Sequence, residues 1–412
     1  MKKILLFILL FQNTQTFSQG IQSFFEVDTT LKIEVNNSSI SIWNTTQNDF
    51  YYLKKYDDES GHINLVNYNS HSGKVDEIIY GINSSLMKEM YSERIRSIAK
   101  TGDSLFFLTN QHLFGFHTLI PSKCELKYKI ALFNKRTRLY LPIYINNNRL
   151  LISRYSEPLK GKIPFLEIFE VDFRTQSLIS KVHNYNSLGQ LYLNSKQSNQ
   201  VFIGFDKIVV SSPIDYEISV FDITNKESTK VDTIRDAPEG WISINPATLS
   251  FLEMSYERNP SIKVLDSLAL LEEKYISRIN HICLLNHTNL LVQYSINDTS
   301  SLTLSLPKNR FTRKCYVDIW ESQPTGWKKK ISRIEDNRIT ESDSLVSKEY
   351  FELLLSFSEV LSLNNKLLVF KQLPEIIYGE KWGAFNKRRF SQLKSGEMHP
   401  TLVIFSLKGI SQ

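Results

Sequence analysis

The chain is short of the residues that would mark most specialised classes. It has 3 cysteines in 412 residues, Cys124, Cys283 and Cys315. They are scattered and odd in number, so at most one disulfide can form, and a disulfide-stapled scaffold is excluded. No CxxC spacing is present, and buried free thiols are expected. Gly (15) and Pro (12) are too scarce for a collagen-like or low-complexity linker protein. Charge of one sign is also lacking. The 49 basic and 43 acidic residues leave only +6 at pH 7, a poor match to a nucleic-acid partner. No apolar run reaches the 18 or so residues that a membrane-spanning helix needs. What remains is 42% hydrophobic and 12% aromatic residues, enough for a sizeable core.

The first residues read as an export signal. Lys2 and Lys3 precede the apolar run Ile4–Phe11, and Thr16-Phe17-Ser18-Gln19 supplies small residues for cleavage after Ser18. Residues 1–18 are therefore expected to be a signal peptide and residues 19–412 one exported domain, periplasmic or extracellular. The mature chain is expected to have no transmembrane segment and to be a monomer.

The dominant signal is an internal repeat. A polar turn precedes each of the quartets Phe50–Leu53, Leu105–Leu108, Leu150–Ser153, Ile208–Ser211, Leu290–Gln293 and Leu367–Phe370. Leu249–Leu252 is a fainter seventh copy. The turns use Asn48-Asp49, Gly102-Asp103, Asn147-Asn148, Asp206-Lys207, Pro246-Ala247, His287-Thr288 and Asn364-Asn365. Asn, Asp and Gly tolerate the positive φ of tight hairpins. Another β-type run precedes each turn, as in Val201–Ile203 and His281–Leu284. A third follows each quartet, as in Ile63–Tyr68, Ile218–Asp222, Ile262–Asp266, Val317–Trp320 and Leu402–Phe405. A fourth, more polar run such as Lys74–Ile79 suits an outer edge strand.

Four short antiparallel strands per unit predict an all-β protein, a β-propeller of seven blades, with six as the alternative. The last copy stops at its third strand. Phe24–Val35 alternates apolar and polar and belongs to no copy, so it is expected to complete the last blade and close the ring. Leu86–Tyr91 is expected to form a short helix, as is the stretch at about 335–358.

The segment Glu217-Ile218-Ser219-Val220-Phe221-Asp222 resembles the third strand of NHL-like repeats in secreted bacterial β-propellers, a group that includes uncharacterised exported proteins. The resemblance implies the fold and no activity. The Asp that closes the second strand in NHL repeats is missing from most copies here, and Gly is scarce.

In a four-stranded antiparallel blade the second-to-third loop and the crossing to the next blade emerge on one face, where loops carry binding on a rigid scaffold. Candidate ligand-binding residues on that face are Tyr56, His112, Arg154, Tyr155, Glu157, Tyr256, Arg258, Tyr294, Lys371, Trp382, Arg388 and Arg389. Aromatic rings stack on sugars or peptide side chains, and Arg forks grip carboxylates. The sequence holds no H-E-x-x-H, G-x-S-x-G or phosphate-loop motif. Asp57-Asp58-Glu59-Ser60-Gly61 lacks alternating calcium ligands. The eight histidines do not cluster, so no metal and no cofactor is expected. Lys328-Lys329-Lys330 and Lys387-Arg388-Arg389 read as solvated basic runs, with an anionic surface as the functional alternative. The expected function is a non-catalytic binding protein for a glycan, a peptide or an envelope protein. The alternatives are a glycan hydrolase or lyase with carboxylates at the central channel, and a structural envelope subunit.

Overall fold

A computed structural model describes residues 25–32, 43–45, 49–57, 59–69, 72–132, 144–146, 149–155, 165–186, 201–212, 215–224, 229–243, 245–258, 277–297, 313–336, 359–363, 366–371 and 401–407. These residues form six antiparallel four-stranded sheets. The chain opens with β1 (Phe25–Lys32). Sheet I holds β2 (Trp43–Thr45), β3 (Asp49–Asp57), β4 (His62–Asn69) and β5 (Val75–Gly81). Helix α1 (Ser84–Ser92) leads to sheet II, with β6 (Ser97–Thr101), β7 (Ser104–Leu108), β8 (His112–His117) and β9 (Glu125–Ala131). Sheet III holds β10 (Tyr144–Asn146), β11 (Arg149–Tyr155), β12 (Phe165–Asp172) and β13 (Ser177–Asn186). Sheet IV holds β14 (Val201–Gly204), β15 (Lys207–Ser211), β16 (Ile218–Asp222) and β17 (Thr229–Ile234), and is followed by helix α2 (Pro246–Arg258). Sheet V holds β18 (Arg278–Leu284), β19 (Asn289–Asn297), β20 (Arg313–Gln323) and β21 (Gly326–Asp336). Sheet VI joins β22 (Glu359–Leu363), β23 (Lys366–Lys371) and β24 (Thr401–Leu407) to β1, whose Phe25 faces Leu407 and whose Lys32 faces Thr401.

Six of the seven predicted quartets lie in the second strand of a sheet, β3, β7, β11, β15, β19 and β23. The seventh does not: Leu249–Leu252 is part of α2, and residues 241–243, ahead of the Pro246-Ala247 turn where a β-type run is expected, are irregular. The sequence explains the misreading. Ala247, Leu249, Leu252, Glu253 and Met254 are good helix formers, and Pro246 sits at the first helical position, where its missing N–H costs nothing. A four-residue apolar window cannot separate strand from helix. The Glu217–Asp222 segment does run as the third strand of its sheet. Leu86–Tyr91 falls within α1, whose start is capped by Asn83 Oδ1 accepting the Ser85 N–H at 2.9 Å. Residues 335 and 336 end β21; the rest of the second expected helix, the third-strand copy Ile262–Asp266 and the proposed signal peptide lie outside the described residues.

One hairpin shows how turn chemistry is set. Phe205 and Asp206 both have positive φ, 53° and 56°, and join β14 to β15 as a two-residue turn twisted to match its strands. Asp tolerates that conformation readily; Phe does so rarely. The Phe205 ring compensates by packing against Phe202 and His287, with centroids 6.4 and 5.1 Å away.

The described core is a series of seams between consecutive sheets. One cluster joins sheets I and II through Leu53, Ile63, Tyr80, Phe107, Phe114 and Phe116, with Met87 and Met90 of α1 filling its end. Others join II to III, III to IV and IV to V. First strands stand side by side in chain order, β2 by β6, β6 by β10, β10 by β14, β14 by β18, β18 by β22, and β22 by β2. Fourth strands β5, β9 and β17 are exposed or half-buried along their length, with one buried position each, as outer strands should be.

Candidate recognition face

Strand direction alternates within each sheet, so the second-to-third connection and the crossing to the next sheet leave from the same end. Both helices lie in such crossings, α1 between β5 and β6 and α2 between β17 and β18. The candidate residues divide accordingly. Tyr56, Arg154, Tyr155 and Lys371 sit at the closing ends of β3, β11 and β23, at the predicted end of their sheets; their side chains lie outside the described residues. Tyr256 and Arg258 sit in the last turn of α2, with Arg258 exposed. Glu157, Trp382, Arg388 and Arg389 lie outside the described residues. His112 and Tyr294 are described in full.

His112 opens β8, and its Nδ1 lies 2.7 Å from Oε1 of Glu93. Glu93 is the residue at which α1 ends, and its backbone N–H closes the helix on Glu89 O. Arg94 follows with φ 63° and redirects the chain toward β6. The helix end thus tucks Glu93 beneath the β7–β8 turn, where it is only 8% exposed. Thr109 donates its hydroxyl to Glu93 Oε2 at 2.5 Å. Oε1 of Glu93 is placed to accept from Nδ1–H, which holds the ring in one orientation and leaves Nε2 on its other edge. Beside it, Arg96 Nε donates to Asn110 Oδ1 at 2.7 Å, and both residues are at the surface. This is an oriented imidazole in a polar setting, able to accept a hydrogen bond from a ligand hydroxyl or amide.

Tyr294 is completely buried. Its hydroxyl donates to Oδ1 of Asp318 at 3.1 Å, so it ties β19 to β20 and does not face solvent. Asp318 is also fully buried. Its Oδ2 accepts from Tyr216 Oη at 3.1 Å, across the seam from sheet IV. The Arg333 N–H, turned by a positive φ of 55°, donates to Oδ1 at 2.9 Å. Trp320 Nε1 donates to Tyr216 Oη at 3.2 Å. Burial and the Asp318 charge push both phenols well above the ordinary tyrosine range, so they remain protonated donors. Trp241, in the crossing after β17, closes over this group with its ring centroid 5.1 Å from Tyr216 and 6.2 Å from Tyr294.

The lysine run beside this network is not uniformly solvated. Lys328 and Lys330 point outward, and Lys330 pairs with Glu321 at 2.7 Å. Lys329 turns inward on the opposite pleat, 4.9 Å from the Trp320 ring centre. Asp318, Tyr216, Trp320 and Glu93 escaped the sequence reading. Val317–Trp320 is buried on both faces, so no polar alternation marked Asp318 as inward. The alternation within the lysine run was the one available signal.

Among the described residues no group of three metal-ligating side chains converges, and no helix is long and apolar enough to cross a membrane. Cys124 and Cys283 are free, the second fully buried and the first partly exposed. Burial raises the Cys124 thiol to about 11, and it donates to Pro121 O at 3.3 Å, which keeps it unreactive.

No known protein family matches the chain, and no curated protein does. Similar solved structures include a candidate exported protein from Bacteroides fragilis, at 11% identity and TM-score 0.48, covering 94% of this chain and 97% of the other. The N-terminal domain of Nup159 matches at 10% identity and TM-score 0.37, covering 93% and 95%. A candidate 6-phosphogluconolactonase from Bacteroides fragilis matches at 9% identity and TM-score 0.35, covering 81% and 80%. All three TM-scores fall below 0.5, so the fold description rests on the strand pairing itself.

Proposed function

We propose that the chain is an exported binding protein built as a six-bladed propeller of the NHL-like kind. In this reading sheets I to VI are the blades, and β1 closes the ring by completing sheet VI. The side-by-side first strands and the β1–β24 pairing support closure. The basic start, short apolar run and small residues before Ser18 support export. One face then presents the second-to-third loops and the helical crossings to a glycan, a peptide or an envelope protein. The observation that carries this reading is His112, oriented by the buried Glu93 at the loop-bearing end of sheet II. A partly exposed side chain held in one orientation suits recognition of a hydrogen-bonding ligand.

The test is a glycan array together with a pull-down from envelope extracts, using residues 19–412. Retention of a ligand, weakened about tenfold by His112→Ala, is the expected result. Empty screens accompanied by turnover of a polysaccharide would instead make the chain a glycan hydrolase or lyase.

A further inference from the structure

Lys329 occupies an arrangement that does not need a lysine from the same chain. Its Nζ lies 4.9 Å from the Trp320 ring centre and 6.0 Å from that of Tyr216. It stands 3.5 Å from Oδ2 of the fully buried Asp318. Two aromatic faces and a carboxylate form the environment that attracts an ammonium head, since ring quadrupoles and the anion act together where water is excluded. Meanwhile Asp318 already accepts three hydrogen bonds from neutral donors, Tyr216, Tyr294 and the Arg333 N–H. At 3.5 Å Lys329 adds charge compensation and no short hydrogen bond. Its remaining partners are Asp236 Oδ2 at 3.4 Å and Asp236 O at 3.3 Å, on a well exposed residue. The lysine arrives from the outer strand β21, directly across from Trp320, and its side chain keeps 18% exposure. The walls of the site are buried, Tyr216 from the β15–β16 connection and Trp320 and Asp318 from β20; the occupant comes from an edge.

We propose that Tyr216, Trp320 and Asp318 form an alkylammonium-binding cage between sheets IV and V, whose resting occupant is the Lys329 side chain. A ligand bearing an alkylammonium group displaces Lys329 toward Asp236 and solvent. Tyr216 belongs to the β15–β16 connection, one of the loops on which the binding reading rests, but the cage rests on the Lys329 contacts alone and holds whether or not those loops take a glycan.

Displacement is measured on the intact protein by acylating its lysines with an activated ester and reading each site by mass spectrometry. Lys329 is expected to react about tenfold more slowly than its neighbour Lys328. Tetramethylammonium, which does not consume the reagent, is expected to raise the Lys329 rate severalfold and leave Lys328 unchanged, while neutral tert-butanol changes neither. In a second arm, Lys329→Ala is melted with butylammonium, tetramethylammonium and tert-butanol, and Trp fluorescence is followed. Both ions are expected to raise the midpoint saturably, with no effect in Lys329→Ala/Asp318→Asn. A Lys329 acylation rate unmoved by tetramethylammonium overturns the proposal, as does a Lys329→Ala response equal for ions and tert-butanol. If Lys329→Ala does not fold, the acylation arm decides alone.

Discussion

Two seams of the same molecule are built on different chemistry. Between sheets I and II the contact is apolar: Leu53, Ile63, Tyr80, Phe107, Phe114 and Phe116 interlock, and α1 adds Met87 and Met90. Within this cluster Tyr51 makes a polar tie across the seam, its hydroxyl accepting the Lys100 N–H, and burial lifts Tyr80 to about 12. Between sheets IV and V the apolar cluster is interrupted by Asp318, bonded to two phenols, one of them from the neighbouring sheet. An apolar seam gains free energy in proportion to the area it removes from water and tolerates small shifts. A buried carboxylate gains little in net stability, yet it penalises every arrangement that leaves it unpaired. The polar seam therefore sets the relative placement of its two sheets, whereas the apolar seam mainly supplies stability.

The severest test leaves both seams in place and strikes sheet VI. Removing residues 20–36 deletes β1 and exposes the edge of β24. The trimmed chain is expected to lose roughly 10 °C or more in thermal midpoint by calorimetry, or not to fold. A midpoint equal to that of the intact chain would show that sheet VI stands without β1.

The next effect separates the seams. Phe107→Ala removes a fully buried ring from the apolar seam and is expected to cost about 4 kcal/mol in urea denaturation. Asp318→Ala strands two phenol donors and the Arg333 N–H in the polar seam, with an expected cost of about 3 kcal/mol. The shapes of the two losses should differ: Phe107→Leu recovers most of the apolar loss, while Asp318→Leu recovers little, because the donors stay unpaired. Equal recovery would mean that Asp318 acts only as volume.

The smallest effect concerns the seam between sheets III and IV. Arg149 grips Glu170 with Nε and Nη2 at 2.9 and 2.8 Å, and Nη1 donates to Ile223 O in sheet IV. Hydrogen bonds from Arg149, then from Lys181, hold the Glu170 carboxyl below the ordinary glutamate range. A carboxyl depressed in the folded state contributes stability that is complete above its unfolded value, about 4.3, and is lost as pH falls through the folded value. For this half-buried group the contribution is about 1 kcal/mol or less. Glu170→Gln should flatten that part of the acid limb of stability against pH and lower stability by about 1 kcal/mol or less at neutral pH, where the contribution is complete.

The repeat was largely legible because each second strand is a short apolar run behind a turn, and both signals are local. Phe50–Leu53 and Ile208–Ser211 needed no knowledge of partners to be recognised, and the alternation before the first copy pointed to β1 as the missing strand of the last sheet. The seventh copy misled because Leu249–Leu252 is apolar over four residues, too short a window to carry a period. Of the candidate site, the end of the sheets was predictable from strand direction alone. The side chains at that end were not. His112 was legible as a residue type, but its orientation depends on Glu93, 19 residues earlier, arriving beneath the same turn.

The sequence alone determined the strand-rich repeat, the turns and the outer strands, because these follow from period-two patterning and backbone preferences within a few residues. Tertiary structure decided that Tyr294 is buried, that the middle lysine of three faces inward, and that Asp318 meets a tyrosine 102 residues away. Those outcomes depend on which sheets become neighbours. Electrostatic and hydrogen-bond energies vary steeply over a few ångströms, and such distances between sheets are written in no local stretch of chain.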